Sequence, residues 1–152
     1  MNLSEHFTLA EYTASETAAR RGINNTPTEA WILANLRRSA AVMEEIRIIL
    51  GVALIVTSGL RVLELNRLIG SKDDSAHPKG LATDFIAPKF GVPYDACRAI
   101  EPHVDRLDID QLIYEHTWIH AGLREGPGRH QVLTLAPGGR YVAGIVLQGS
   151  VA

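Results

Sequence analysis

The stretch Ser75-Ala76-His77-Pro78-Lys79-Gly80-Leu81-Ala82-Thr83-Asp84 alternates small residues with residues able to bind metal or donate a hydrogen bond. From Gly80 to Ile86 the pattern reads as a strand, with Gly80, Ala82 and Asp84 on one face and Leu81, Thr83 and Phe85 on the other. His77 ends a polar loop, and a turn at Gly80 can bring its imidazole and the Asp84 carboxylate to one metal ion. Gly80 and Ala82 keep that face open to a close-lying substrate backbone. From composition alone the pair reads better as a surface histidine in a polar loop plus a strand-end aspartate.

Further along, Asp110-Gln111-Leu112-Ile113-Tyr114-Glu115-His116-Thr117-Trp118-Ile119-His120 supplies possible partners. Strand alternation sets Trp118, His120 and Gly122 on one face, so His120 projects beside an aromatic wall and can be a third ligand. Three ligands from His77, Asp84 and His120 leave the fourth tetrahedral position of a zinc ion for water, the arrangement of a catalytic site. Glu115 is then the nearest candidate for the base that takes the proton of the attacking water and returns it to the leaving amine. Alone, it would read as a solvated strand-end carboxylate. His116 and His120 share a His-x-x-x-His spacing, but Thr117 stands where a helical zinc peptidase needs glutamate, so His116 is expected to support the site from outside or to face solvent. His6, His103 and His130 have no partner at useful spacing and read as surface histidines.

Around these stretches the chain alternates helix and strand signals. Thr8 and Glu11 form a capping box with Phe7 and Tyr12 placed as a hydrophobic staple, and Gly22 closes that region. Thr26-Pro27-Thr28-Glu29 repeats the start signal, after which Ile32, Leu36, Met43, Ile46 and Leu50 trace one buried helical face up to Gly51. Trp31 is expected to pack in the core or at an interface. A buried strand over 53–57, a short helix over 62–69 and a helix from Pro93 to before Pro102 follow. Strands over 111–115 and 118–123 precede a hairpin, 131–135 with 140–146, around Pro137-Gly138-Gly139. Helices early and strands late predict an α+β fold, a mainly antiparallel sheet with helices packed on one side.

Composition narrows the function. With 152 residues, of which 46% are hydrophobic and 21% charged, the chain reads as one domain over residues 1–152. A domain of this size hides about 70% of its unfolded surface, so any metal is there for chemistry rather than stability. The net charge of −2 argues against a nucleic-acid partner. A single cysteine, Cys97, excludes a disulfide framework and a multi-cysteine zinc cage, and is expected to be a small buried hydrophobe. The longest apolar stretches fall well short of the roughly 20 residues that cross a bilayer, so no membrane insertion is expected. Met1 to His6 carries neither a basic nor a long apolar signal region, so synthesis in the cytoplasm without a secretory signal is expected.

Residues 75–84 fit the motif Ser-x-His-x-x-Gly-x-Ala-x-Asp, and the chain thereby resembles the zinc D-Ala-D-Ala carboxypeptidases and L-alanyl-D-glutamate endopeptidases, which share a fold with the hedgehog signalling domain. The resemblance extends to Phe7-Thr8-Leu9-Ala10-Glu11, Gly22-Ile23-Asn24-Asn25-Thr26-Pro27, Thr57-Ser58-Gly59-Leu60-Arg61 and Asp110 to Glu115, which look like the branch common in phage and prophage genomes. It implies one Zn2+ per chain on His77, Asp84 and His120, Glu115 as catalytic base and acid, Arg61 facing the substrate or the polarised carbonyl, and Ser75 binding near the substrate by tying the loop with its hydroxyl. In relatives the catalytic glutamate commonly precedes the last histidine by six residues; here Glu115 precedes His120 by five, which calls for a shortened turn or a bulge. Leu60 replaces a common aromatic residue, so an altered substrate rim is expected.

The function implied is hydrolysis of an amide bond in peptidoglycan stem or cross-link peptides by a metallopeptidase, a phage or prophage endolysin that acts at the cell wall or periplasm after delivery by a holin or within a virion. The alternative is a non-catalytic zinc-binding module of a phage tail or wall-contact protein.

Overall fold

The computed structural model describes residues 1–147; the last residues of the expected 1–152 domain, 148–152, lie outside the described residues. Thr8 accepts a hydrogen bond from the Glu11 N–H, and the Glu11 carboxylate accepts one from the Thr8 N–H, so both halves of the capping box start α1 (Leu9–Thr13). The staple is present too: the Phe7 and Tyr12 rings meet edge to face at 6.5 Å. The region up to Gly22 is two helices rather than one, because Ser15 caps a second, α2 (Glu16–Arg21), which Gly22 ends at φ 66°.

The long helix α3 (Ala30–Leu50) begins at Ala30, beyond Pro27, with Glu29 as an N-cap whose side chain makes no hydrogen bond to the helix backbone. Its buried face carries Ile32, Leu36, Met43, Ile46 and Leu50, and Gly51 stops it in the left-handed region. Trp31 does not join the core: it is half-exposed on the helix flank, its indole N–H donating to Glu29. The expected buried strand at 53–57 is β1 (Ile55–Ser58), and it forms a sheet edge with Ile55 half-exposed. An apolar run of that length does not reveal whether both of its faces are covered.

After α4 (Leu63–Leu68) come β2 (Ala82–Ile86), α5 (Pro93–Ile100), β3 (Gln111–Tyr114), β4 (Ile119–Gly122), β5 (Gln131–Leu135) and β6 (Tyr141–Ala143). The strands form one sheet in the order β1-β2-β4-β3-β5-β6, antiparallel except for the parallel pair β3 and β5. The fold is therefore α+β, as the pattern of elements predicts. One sheet face is apolar: Phe85, Leu112, Ile119 and Ala121 pack with Leu36, Met43 and Ile46 of α3 and Cys97 and Ile100 of α5. The other face bears Asp84, Ile113, His120 and Gly122 and lines a cleft. Period-two alternation separates core from site along each of these strands.

Two close approaches hold the connecting loops against this scaffold. Gly80, at φ 75°, lies so near α3 that a Cβ would stand 3.0 Å from the Ile32 carbonyl, and Ser39 donates to the Gly80 carbonyl at 2.7 Å. Gly59 packs against Tyr12, and a Cβ there would lie 2.5 Å from Tyr12 Cδ1 and 2.7 Å from the Tyr12 carbonyl. Behind it the Tyr12 hydroxyl shares a buried hydrogen bond of 2.9 Å with Thr83, which leaves the ring little room to retreat.

Gly59→Ala is accordingly expected to destabilise the protein by about 1–3 kcal/mol, the range for overpacking a filled site. Urea unfolding measures this; an unchanged midpoint would mean that Tyr12 can move aside.

Candidate metal centre

Asp84 and His120 are direct register partners across β2 and β4, so pairing alone sets carboxylate and imidazole side by side. His120 Nδ1 lies 2.9 Å from Asp84 Oδ1. His77 reaches the same carboxylate from the other side, in the single 3-10 turn His77–Lys79 that Gly80 closes, with Nε2 3.4 Å from Asp84 Oδ2. One ligand atom from each of the three residues lies within 4.8 Å of the others.

The protonation of His77 follows from its neighbour. Its Nδ1 is 2.7 Å from the Gly59 carbonyl, which can only accept, so Nδ1 carries the proton and Nε2 is left with a lone pair. Burial pulls the His77 pKa down, against the pull of Asp84, and keeps the ring neutral. A bare nitrogen thus faces a carboxylate oxygen with no proton between them, a repulsive contact that a cation removes. Their 3.4 Å separation is close to the roughly 3.3 Å between ligands held about 2.0–2.1 Å from a tetrahedral centre. The donor set of two nitrogens and a carboxylate suits zinc, and the Gly59 carbonyl is the outer partner that orients a ligand imidazole.

Asp84 and His120 are tuned against each other. Burial raises the Asp84 pKa, but its hydrogen bond with His120 outweighs this and holds the carboxyl ionised well below its usual range. For His120 burial acts downward, and Asp84 and then Glu115 lift the pKa above the ordinary histidine value. The ring also fills the space over Gly122, where a Cβ would lie 2.9 Å from His120 Nε2.

Glu115 enters the cleft from the β3–β4 connection, a tight reversal five residues before His120. The Thr117 N–H donates to the Glu115 carbonyl at 2.7 Å and His116 sits at φ 65°, so the chain reverses in a γ-type turn, while the Glu115 N–H donates to the Trp118 carbonyl at 3.1 Å. Burial raises the Glu115 pKa, partly offset by His120. His116 is half-buried and supports the turn from outside the metal group, its Nε2 2.7 Å from the Leu135 carbonyl.

Arg61 lines the same cleft, its N–H donating to the His77 carbonyl at 3.3 Å. Asn25, buried, brackets it: the Asn25 amide donates to the Leu60 carbonyl at 2.8 Å and accepts from the Val62 N–H at 3.0 Å. Burial lowers the Arg61 pKa, and Asp84 and Glu115 act against that. Among the described residues, Arg61 Nε and Trp118 Nε1 are buried donors with no acceptor. Ser75 accepts from the His77 N–H at 3.3 Å, tying the loop as expected. Leu60 is buried in the core and forms no part of the rim, contrary to the expectation drawn from its position.

The cleft encloses about 760 Å³, room for a short peptide. Its far side includes Asp110, Arg129 and Tyr141, which sequence reasoning did not single out. Asp110 is buried and takes a bidentate pair from Arg129, at 2.9 Å from Nε and 2.8 Å from Nη2. The arginine lies well outside any local pattern, so only strand pairing reveals it. Of the histidines read as surface residues, His6 pairs with Glu44 at 3.0 Å and His130 with Asp108 at 2.9 Å. Cys97 is buried in α5 as expected. No helix among the described residues is long and apolar enough to cross a membrane.

Residues 5–121 match the model of a protein family described as Peptidase M15, more than half of the chain. No curated protein matches it.

Because a side chain at position 122 would strike His120 Nε2, Gly122→Ala is expected to turn that ring and weaken zinc binding by about 10–100-fold, the usual effect of disturbing a ligand's support. His120→Ala is expected to do more. Competition with a chromogenic chelator, with circular dichroism as a check on folding, measures both; full zinc affinity in the His120 variant would remove it from the ligand set.

Proposed function

The chain belongs to the peptidase M15 family of zinc metallopeptidases acting on peptidoglycan-type substrates, and from that premise we propose that it hydrolyses an amide bond of the stem or cross-link peptides, as a D-Ala-D-Ala carboxypeptidase or an L-Ala-D-Glu endopeptidase. The observation that carries this reading is the meeting of His77, Asp84 and His120 at the floor of a cleft that also holds Glu115, Arg61 and Trp118. We assign the zinc ion to His77 Nε2, one Asp84 oxygen and His120 Nδ1. Bound there, zinc supplies Lewis-acid chemistry, polarising a peptide carbonyl and making water a stronger acid.

The remaining roles belong to the chain's own groups. Glu115, with its pKa raised by burial, is a better proton acceptor than a solvated glutamate; it takes the proton of the attacking water at a carboxylate oxygen and delivers it to the nitrogen of the leaving amine. Arg61 lines the cleft beside Asp84 and Glu115, which supports the role of its guanidinium in holding a substrate carboxylate or the oxygen on which charge develops. The Trp118 side chain forms part of the same cleft wall. Ser75 acts through His77, whose N–H it binds, and so helps to shape the substrate side of the loop.

We assign the chain to the phage or prophage endolysins, acting at the cell wall or periplasm where peptidoglycan lies, with a holin or a virion as the means of delivery. The location of peptidoglycan supports the place of action.

Incubation of the zinc-loaded protein with purified peptidoglycan is expected to release new muropeptides, to stop on chelation and to resume when zinc is restored. Their masses, read by mass spectrometry, name the bond. Glu115→Ala is expected to lower kcat by about 10²–10⁴-fold with zinc still bound, the loss typical of removing a general base. An undiminished rate would overturn the role of Glu115, and a folded, zinc-loaded protein that releases nothing would make the chain a wall-binding module instead.

A further inference from the structure

The hairpin of β5 and β6 lies beyond the residues that match the family model, yet it forms part of the cleft wall through Gly139 and Tyr141. Tyr141 is 52% exposed on an edge strand, and its ring and hydroxyl have no partner among the described residues. A tyrosine phenol, whose ordinary pKa is about 10, is protonated at neutral pH, and partial burial with the negative charges of Glu115 and Asp84 pushes its pKa higher still. It is therefore an unengaged O–H donor in the cleft that contains the metal centre.

The hairpin is fastened at both ends. Thr134 donates to the Gly144 carbonyl at 2.7 Å and accepts from the Val146 N–H at 3.0 Å. Near the tip, Leu135 is the register partner of Tyr141, and the Leu135 carbonyl accepts from His116 Nε2 at 2.7 Å. His116 is the central residue of the turn that carries Glu115, it occupies the left-handed region at φ 65°, and its ring packs on Tyr114 at 4.7 Å. One imidazole thus joins the backbone beside Glu115 to the backbone opposite Tyr141.

We propose that Tyr141 is a substrate-binding residue whose O–H donates to an oxygen of the bound peptide, and that His116 is the positioning residue that holds Tyr141 and Glu115 in one cleft. This rests on the peptidase reading above. The parallel pairing of β3 with β5 sets Tyr114 against Thr134, so the strands bearing the two walls run side by side and the His116 bond completes their alignment.

Two measurements test it. In kinetics on a soluble muropeptide, Tyr141→Phe and His116→Ala are each expected to raise KM about three- to tenfold, the loss of one hydrogen bond, with kcat falling by a smaller factor. The double variant is expected to raise KM little beyond either single change, since both remove the Tyr141 contact, while kcat falls further wherever His116 is lost because Glu115 loses its support. His116→Asn suits the left-handed turn but has a shorter reach, so it is expected to behave as the alanine variant does; a parental KM would overturn the positioning role. The second measurement needs no turnover. In metal-free protein labelled with fluorotyrosine and fluorotryptophan, adding the muropeptide is expected to shift the fluorine resonances of Tyr141 and Trp118 together. A Tyr141 resonance that does not move overturns the proposal, and the Trp118 resonance then tells whether the peptidase reading falls with it.

Discussion

The antiparallel register of β2 against β4 is the constraint on which the site depends, because it alone makes Asp84 and His120 neighbours. A slip of β2 by one residue would turn Asp84 into the apolar core, bring Phe85 to the cleft and leave His120 without its partner. Placing an ionised carboxylate there without partners costs several kcal/mol, so the packing of α3 and α5 on the other face fixes the chemistry indirectly. His77 adds a second constraint. Its loop is held by Gly80 against α3 and by the Gly59 carbonyl, so the third potential ligand is oriented by backbone groups and not by chance side-chain contacts.

Such an arrangement stores unfavourable terms. Asp84 and His77 are buried together, and Arg61 Nε and Trp118 Nε1 are donors without acceptors, each a deficit of about 1–3 kcal/mol. A domain stable by about 5–15 kcal/mol tolerates these only if the surrounding structure prevents relaxation. Asn25 shows how that is done: one buried amide spans Thr13, Leu60 and Val62 and fixes the backbone on either side of Arg61.

What could be read from the sequence follows the range of each signal. Asp84, His120 and Gly122 were legible because strand alternation is local, and the capping box at Thr8 and the stop at Gly51 are shorter-range still. His77 could be paired with Asp84 because only Gly80 must turn between them. The Gly59 carbonyl behind His77 was not legible, since a backbone oxygen eighteen residues away has no signature in residue type. The same holds for Tyr141 and Arg129, which reach the cleft through the parallel pairing of β3 and β5 across an intervening connection. Edge exposure at β1 and the split between α1 and α2 depend on what covers or caps each segment in three dimensions, which hydrophobic runs do not encode.

The one-residue shortening between Glu115 and His120 links these levels. A tighter reversal demands a left-handed residue, and the chain has a histidine there, not a glycine, at a cost of order 1–3 kcal/mol for strained backbone. Glycine would relieve the strain but could not reach the Leu135 carbonyl or pack on Tyr114. The side chain thus offsets the backbone cost by tying the turn to the hairpin, and the connection that carries Glu115 becomes rigid where a glycine turn would be loose. Strain at His116, pairing at Leu135 and the exposed phenol of Tyr141 are then parts of one arrangement: shortening a loop beside the metal centre creates a need for support, and the segment beyond the family-matched residues supplies it.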